Sequence, residues 1–206
     1  MLLDTCLIQH LEFVMGLIGE AFVWPPHAEG WIRRRYGANL GEDLIALGEI
    51  VAFLYPRQGP PWAVSQTSWD ELSTLGGMKG SRLRGWWSDW AGYWEASAEL
   101  YPDVEADALW PGVEVAPDPD QLYLFEVEPS RRRDPMIEDG FGPFTDEGDR
   151  ALICDAVRAN VPAILTTDLR SFWTHRAWLF QQGIEVWRPR DLWVAIDPRI
   201  ARSTVA

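Results

Sequence analysis

The chain has 206 residues, 47% of them hydrophobic, and its 31 acidic against 18 basic side chains give a formal net charge of −13. This hydrophobic content suffices for one domain with a substantial core, while the acidic balance argues against a surface generally attractive to nucleic acid. No apolar run approaches the roughly 18 residues that a membrane span needs, and no basic residues precede the first apolar run as in a signal peptide, so we expect a soluble, cytoplasmic protein without membrane contact.

The first third of the chain alternates strand and helix signals. Met1-Leu2-Leu3 is an apolar run that predicts a short buried strand, and residues 5–18 mix apolar and polar side chains at helical spacing. Residues 24–41 include two adjacent prolines and are expected to be irregular or to hold one short helix. Asp43 is expected to cap a helix that runs to about Tyr55, because apolar residues recur after it at i, i+3, i+4 and i+7 spacing.

A second strand and a helix are predicted in the middle of the chain. Trp62-Ala63-Val64-Ser65 predicts the strand, and Ser68 is expected to cap the helix. Glu71 lies three residues after Ser68, which is the spacing of a capping box. Glu71 therefore has two compatible roles: it closes that box, or it presents a carboxylate just past the end of a parallel strand.

Tryptophans at helical spacing mark the next segment. Residues 76–80 are rich in glycine and predict a flexible loop, and a helix of about Arg82 to Leu100 carries Trp86, Trp90 and Trp94 on one face. Such a stripe can stack bases. It is more typical of a core or an oligomer contact, and we expect a homo-oligomer.

One segment departs from the alternation of strands and helices. From Tyr101 to Gly148 the composition shifts toward Pro, Asp, Glu and Gly, with too few apolar residues for a separate core. Leu122-Tyr123-Leu124-Phe125 is compatible with a strand or a short helix. We therefore expect one domain over residues 1–206, with an appended or inserted segment around 76–147.

The last third returns to the alternation of helices and strands. Its predicted elements are a helix from Asp149 to about Asn160, a strand Ala163–Thr166 that leads to Asp168, a helix from Thr174 to Gln182 with Gly183 as its C-cap, and a strand Ile184–Trp187. Strands that alternate with helices are typical of a parallel sheet covered on both faces. The predicted fold class is therefore α/β.

Four carboxylates occupy comparable places in these elements. Asp4 and Asp168 come just past predicted strand ends, and Glu71 and Asp149 stand at predicted helix starts. Ligands collect at the carboxyl ends of parallel strands, and gathered carboxylates raise each other's pKa unless a cation is present. Oxygen ligands without Cys or His favour Mg²⁺ or Mn²⁺ over zinc. Such ions commonly serve phosphoryl chemistry.

The remaining reactive side chains are interpreted as structural. Cys6 and Cys154 are the two cysteines, and each is expected to be a buried free thiol in an apolar context. The histidines, His10 among them, are scattered and form no recognisable triad or ligand pair. The runs Arg33–Arg35 and Arg131–Arg133 are expected to be solvated faces, with phosphate contact as the alternative.

Three segments of the chain resemble the PIN-domain ribonucleases, a family that includes toxins of bacterial toxin–antitoxin pairs. The matching segments are Leu2-Leu3-Asp4-Thr5, Val64-Ser65-Gln66-Thr67-Ser68-Trp69-Asp70-Glu71-Leu72, and Asp149 through Phe172 with its Thr-Thr-Asp-Leu-Arg-Ser-Phe end. The resemblance implies a PIN-like three-layer α/β/α fold with a central parallel sheet of about four to five strands.

The resemblance also implies the roles of particular side chains. The implied catalytic and metal-binding residues are Asp4, Glu71, Asp149 and Asp168, with Mg²⁺ or Mn²⁺ as the cofactor. Thr167 and, less specifically, Thr5 are implied as polar neighbours of the metal. Asp155, on the same helix as Asp149, is a supporting carboxylate or an alternative to it.

The implied activity is metal-dependent cleavage of single-stranded RNA or tRNA by an activated water, leaving a 5′-phosphate and a 3′-hydroxyl. An antitoxin protein is the candidate partner if the chain is a toxin.

One alternative is a catalytically silent PIN-like module that binds or scaffolds proteins, which the net charge and the tryptophan stripe favour. Another is a phosphohydrolase with Asp4 as covalent nucleophile. Cys6 disfavours this, because haloacid-dehalogenase-like enzymes have a second aspartate at that position.

Overall fold

The structure is a computed structural model and describes residues 1–19, 23–54, 62, 64–86, 140–158 and 161–196. The strands of this part are β1 (Leu2–Leu3), β2 (Ala163–Leu165) and β3 (Glu185–Trp187). The helices are α1 (Thr5–Ile18), α2 (Ala28–Leu54), α3 (Gln66–Thr74), α4 (77–86), α5 (Glu147–Arg158), α6 (Arg176–Gln181) and α7 (Pro189–Ile196). None of the helices in these ranges has the length and apolar character needed to cross a membrane.

The three strands form one parallel sheet in the order β1-β2-β3. Leu3 of β1 pairs with Leu165 of β2, which pairs in turn with Trp187 of β3. The predicted α/β class with a parallel sheet is confirmed. Within the described ranges the sheet has three strands, fewer than the four to five expected.

The sheet separates two hydrophobic clusters. Side chains alternate along a strand, and accordingly Leu3 and Leu165 belong to one cluster while Leu2 and Ile164 belong to the other. All four are fully buried. The first cluster is completed by α1, α2, α3, α4 and α7, and the second by α5 and α6. Helices therefore cover both faces of the sheet, as the alternation of elements predicted.

The strand predicted at residues 62–65 is wrong, because Trp62, Val64 and Ser65 lie outside any strand. Ser65 instead caps α3, and its Oγ accepts a hydrogen bond of 3.1 Å from the amide of Ser68. The cap was expected at Ser68. The hydroxyl of Ser68 instead donates to the carbonyl oxygen of Leu3 at 3.2 Å, which ties α3 to β1.

The segment 24–41, expected to be irregular or to hold one short helix, holds a helix that begins at Ala28 and reaches a kink at Gly37. The backbone of Gly37 is not helical, with φ 76° and ψ 173°, so α2 consists of two helical parts that meet there. Glycine adopts this positive φ without steric penalty. Ile32, in the same segment, is fully buried in the first cluster.

Asp43 does not cap a helix, contrary to the prediction. It lies inside α2, is fully buried, and forms ion pairs of 2.5 Å with Arg188 and 2.9 Å with Arg190. Arg188 directly follows β3, so these pairs fix α2 to the end of the sheet. A buried carboxylate requires such partners, and a partner this far along the chain is invisible to a local sequence pattern.

The glycine-rich segment 76–80 is not a flexible loop, because residues 77–86 are helical. A Cβ on Gly80 would overlap the carbonyl oxygen of Leu75, so the close approach of the two backbones requires glycine there. Leu83 anchors this helix in the first cluster.

Other predictions are matched within a few residues or fall outside the described ranges. The α1 prediction matches its bounds, and the helix predicted at 174–182 is shorter, with Gly183 at a φ of 82° just after it. Outside the described ranges lie Trp90, Trp94, Leu122–Phe125, Arg131–Arg133, the helix ends expected at Tyr55, Leu100 and Asn160, and most of segment 76–147. The single-domain organisation stays a prediction.

Candidate active site

Asp4 and Asp168 follow neighbouring strands at the same edge of the sheet. Asp4 comes directly after β1, and its amide donates to the carbonyl oxygen of Leu165 at 3.2 Å, which extends the pairing of the two strands. Asp168 follows β2 by three residues. Because the strands are parallel, both acids lie at the carboxyl edge of the sheet, where the sequence placed them.

Thr166 connects these two acids. Its hydroxyl donates to Oδ2 of Asp4 at 2.6 Å and accepts from the amide of Asp168 at 2.8 Å. The carboxylate of Asp168 accepts from the amides of Arg170 and Ser171, at 2.8 and 3.1 Å. The segment after β2 therefore orients both carboxylates.

Asp149 joins this network through Ser171, whose hydroxyl donates a short hydrogen bond to Oδ2 of Asp149. Asp149 lies in the first turn of α5 but does not open the helix as predicted. Asp146 does so instead: its Oδ1 accepts from the amides of Gly148 at 2.9 Å and Asp149 at 3.2 Å. The carboxylate of Asp149 is therefore not used as a cap.

Glu71 reaches the same region from α3. It lies in the second turn of that helix, not at its start, and it does not close a capping box. Its Oε2 accepts a short hydrogen bond from the hydroxyl of Thr5, the first residue of α1. Its Oε1 lies so close to Gly148 that a Cβ there would overlap it. Glu71 thus stands between the starts of α1 and α5.

A small cleft of about 20 Å³ brings these elements together. Asp4, Glu71 and Asp149 line it, whereas Asp168 is linked to the lining acids through Thr166 and Ser171. The other lining residues are Thr5, Thr67, Ser68, Gly148 and Leu152. Three of the four predicted acids therefore share one cleft, and the fourth is hydrogen-bonded into the same network.

Burial and mutual repulsion raise the pKa values of two of these acids. Burial is the largest cause of the raised pKa of Asp4, and the charge of Asp168 adds to it against the hydrogen bonds that Asp4 accepts. Burial is also the largest cause of the raised pKa of Asp149, with the charges of acidic neighbours acting in the same direction. Ionising these acids together is unfavourable unless a cation compensates.

The donor set fits a hard divalent cation in its chemistry. Within the described ranges no Lys or Arg forms an ion pair with any of the four acids. Side-chain donors occupy only Oδ2 of Asp4, Oε2 of Glu71 and Oδ2 of Asp149. However, no three Asp, Glu, His or Cys side chains of those ranges converge as a preformed metal site. A cation would have to draw the carboxylates closer than they stand.

Of the three residues expected to support the site, only one contacts a cleft acid directly. Thr5 binds Glu71 directly, as described above. Thr167 contacts Cys6 and His10, and the direct contact with Asp4 is made by Thr166. Asp155 accepts from the hydroxyl of Thr67 at 2.6 Å, so it ties α3 to α5 and does not line the cleft.

Cys6 and His10 were not expected near the acids, and both are there. Cys6 is half-buried, and its thiol donates to Oδ2 of Asp4 at 2.7 Å. Nδ1 of His10 lies 2.8 Å from the hydroxyl oxygen of Thr167. The interpretation of Cys6 as a purely apolar thiol is therefore wrong. The available signal was helical spacing, because residues 6 and 10 share the face of α1 that begins beside Asp4.

Cationic side chains lie apart from the four acids. Arg33 pairs with Glu29 at 3.1 Å and with Glu42 at 2.7 Å on an exposed face, as expected for a solvated helix. Arg170 and Arg176 are exposed on the segment that follows Asp168, and neither forms an ion pair within the described part of the chain.

Comparison of the chain with protein-family models, curated proteins and solved structures found no match. The resemblance to PIN-domain ribonucleases therefore depends on the residues quoted for it. A function has to be inferred from the chemistry of the side chains around the cleft.

Proposed function

We propose that the chain is a Mg²⁺- or Mn²⁺-dependent endoribonuclease that hydrolyses single-stranded RNA. The observation that carries the proposal is the meeting of Asp4, Glu71 and Asp149 in one cleft, with Asp168 hydrogen-bonded into their network. These acids come from four different elements and have no cationic partner in the described ranges. Like charges gathered in this way, with Asp4 buried among them, are unfavourable for folding and are typical of functional sites.

Each acid has a role in this proposal. Asp4, Glu71 and Asp149 would hold the cation through the oxygens that side-chain donors leave free, and Asp168 would add negative charge beside them. A bound Mg²⁺ or Mn²⁺ supplies neutralisation of the phosphate and activation of a water for attack on phosphorus. Hydroxyl groups of Thr5, Thr166 and Ser171 orient the carboxylates of Glu71, Asp4 and Asp149 in turn.

Single-stranded RNA is proposed as the substrate on two grounds. The first is the sequence resemblance, which also makes tRNA a candidate. The second is the pair of exposed arginines, Arg170 and Arg176, on the segment after Asp168. Arg176 lies 4.3 Å from the ring centroid of Trp173, and an arginine beside an aromatic ring is a common contact for phosphate and base.

A toxin role would add a protein partner. An antitoxin that inhibits this site would place a cationic side chain among the carboxylates of the cleft. A homo-oligomer is likewise proposed only from the tryptophan stripe in the sequence. Neither partner is needed for the hydrolytic chemistry itself.

The proposal is tested by Mn²⁺ titration calorimetry on the wild type and Asp168→Asn, followed by incubation with a mixed pool of single-stranded RNA. We expect the wild type to bind Mn²⁺ and to cleave RNA only with the ion present, and the variant to lose both properties. Glu185→Gln is the matched control. Glu185 is an exposed carboxylate on β3 that accepts from Nε1 of Trp187 at 2.9 Å, and glutamine can accept the same bond.

Two results would contradict the proposal. A wild type that binds no Mn²⁺ would favour the catalytically silent scaffolding module. Equal loss of binding in Glu185→Gln and Asp168→Asn would show that the affinity for Mn²⁺ depends on the net charge of the protein and not on this cleft. Binding without cleavage would instead indicate a narrow RNA specificity, to be followed with structured RNA such as tRNA.

A further inference from the structure

A chain of three hydrogen-bonded side chains ends on Asp4. Sγ of Cys6 lies 2.7 Å from Oδ2 of Asp4 and 3.3 Å from Oγ1 of Thr167. Oγ1 of Thr167 lies 2.8 Å from Nδ1 of His10. Cys6 and His10 are one helical turn apart on α1, and Thr167 reaches them from the segment after β2.

The direction of these hydrogen bonds follows from the donors available. An ionised Asp4 can only accept, so the single thiol proton of Cys6 is donated to it. The hydroxyl of Thr166 also lies 3.8 Å from the sulfur, but its proton is donated to Asp4. The sulfur therefore accepts from the hydroxyl of Thr167, and that hydroxyl oxygen accepts from Nδ1–H of His10. The chain therefore requires His10 to carry its proton on Nδ1.

The surroundings of His10 favour the neutral ring. Burial is the largest cause of its lowered pKa, and the positive charge of Lys79 acts in the same direction, against the charge of Asp43. A neutral imidazole has one N–H. If that proton is on Nδ1, Nε2 is left as an acceptor.

We infer that His10, Thr167 and Cys6 are positioning residues that commit Oδ2 of Asp4 to protein donors and leave Oδ1 for a bound cation. Thr166 donates to the same Oδ2 at 2.6 Å, so two side chains hold one oxygen, while no side chain of the described ranges donates to the other. Groups that orient metal ligands in this way commonly change metal affinity when they are removed. This inference rests on the proposed function, because it assumes that Asp4 binds the cation.

The first test measures the affinity for Mn²⁺ by calorimetry. Thr167→Val keeps the shape of the side chain and removes the hydroxyl, and we expect it to raise the dissociation constant about 10-fold. Thr167→Ser keeps the hydroxyl and should retain the wild-type affinity. In the same way Cys6→Ala should weaken binding and Cys6→Ser should rescue it. Cys154→Ala is the control for loss of a thiol, because Cys154 is a buried free cysteine that does not line the cleft.

The second test reads the tautomer of His10 from its ¹⁵N chemical shifts, with diamagnetic Mg²⁺ in alkaline buffer. We expect the Nδ1-protonated tautomer in the wild type and in Thr167→Ser. In Thr167→Val the ring should revert to the Nε2-protonated form that free imidazole rings favour. A purely structural role of Thr167 would leave this signature unchanged.

The outcomes separate the two proposals. Unchanged Mn²⁺ affinity in Thr167→Val would overturn the inference. Weaker binding with an unchanged His10 tautomer would also overturn it, because Thr167 would then act without His10. A wild type that binds no Mn²⁺ would contradict the proposed function, and with it the role given to the chain in cation binding. Even then the tautomer of His10 in the metal-free protein would show whether the chain of hydrogen bonds exists.

Discussion

The hydroxyl of Thr166 donates a hydrogen bond of 2.6 Å to Oδ2 of Asp4, from the end of one parallel strand to the end of its neighbour. The same hydroxyl accepts from the amide of Asp168, so one threonine links two acids that repel each other. Ser171 also links two acids, since its amide donates to Oδ2 of Asp168 and its hydroxyl donates to Oδ2 of Asp149. Hydroxyl groups therefore keep carboxylates together where no cationic side chain of the described ranges does so.

Asp4→Asn should make the protein more stable at neutral pH. The oxygen of asparagine can still accept from Cys6 and Thr166, while the unfavourable burial of a charge is removed. We expect the Tm to rise by about 2–4 °C, the shift that about 1 kcal/mol produces in a chain of this size. Differential scanning calorimetry of the metal-free proteins measures it.

The gain from Asp4→Asn should disappear in acid. The pKa of Asp4 is higher in the folded protein than its ordinary value of 3.8, so the folded state binds the proton more tightly than the unfolded chain does. Stability is therefore lost as the pH rises above about 3.8 through the raised value. A Tm difference between wild type and variant that does not shrink toward pH 4 would contradict this explanation.

Mn²⁺ should stabilise the wild type more than Glu71→Gln. A ligand that binds only the folded state at 100 times its dissociation constant adds about 2.7 kcal/mol, or roughly 5–10 °C in Tm for a chain of this size. The affinity should increase with pH, because Asp4 and Asp149 have raised pKa values and must lose their protons to bind the ion. Thermal scans with and without Mn²⁺ at several pH values test both points, with Glu185→Gln expected to behave as the wild type.

Asp43→Ala should be strongly destabilising, and Glu42→Ala should not. Asp43 is fully buried between Arg188 and Arg190, and removal of one partner of a buried ion pair typically costs about 3–5 kcal/mol. Glu42, the preceding residue, pairs with Arg33 on an exposed face, where such pairs contribute about 0–1 kcal/mol. Urea unfolding of the two variants compares them directly, and similar losses would disprove the buried role of Asp43.

Gly148→Ala should weaken Mn²⁺ binding with little effect on stability. The new Cβ would overlap Oε1 of Glu71, and because that carboxylate is the end of a flexible side chain, it can move away and leave Thr5. Gly16→Ala is the control, since nothing lies within 4 Å of a Cβ built there. In a helix interior this exchange adds about 0.8–1 kcal/mol of stability. Calorimetric Mn²⁺ titration should separate the two variants.

The sequence predicted the central part of the fold because local patterns determine it. An apolar run that ends in an acid marks β1 and β2, and the helical spacing after Asp4 gives the bounds of α1. Both acids at the sheet edge follow from these elements and from the parallel pairing. Glu71 and Asp149 were also placed at helix starts near the cleft. Asp149 does lie in the first turn of its helix, whereas Glu71 lies in the second.

The sequence could not predict features that depend on distant partners. The burial of Asp43 requires Arg188, which follows a strand at the other end of the chain. Thr166 and Thr167 are adjacent and chemically alike, so only the fold decides which of them binds Asp4.

The pairing of β1 with β2 also determines when this protein can become functional. In the described sheet β1 has β2 as its only neighbour, with Leu2 opposite Ile164. A ribosome adds about 5–20 residues per second, so β1 waits on the order of ten seconds for its partner. Until then the nascent chain has Asp4, Glu71 and Asp149 but no second strand beside β1, and a prematurely terminated product that lacks β2 also lacks Asp168.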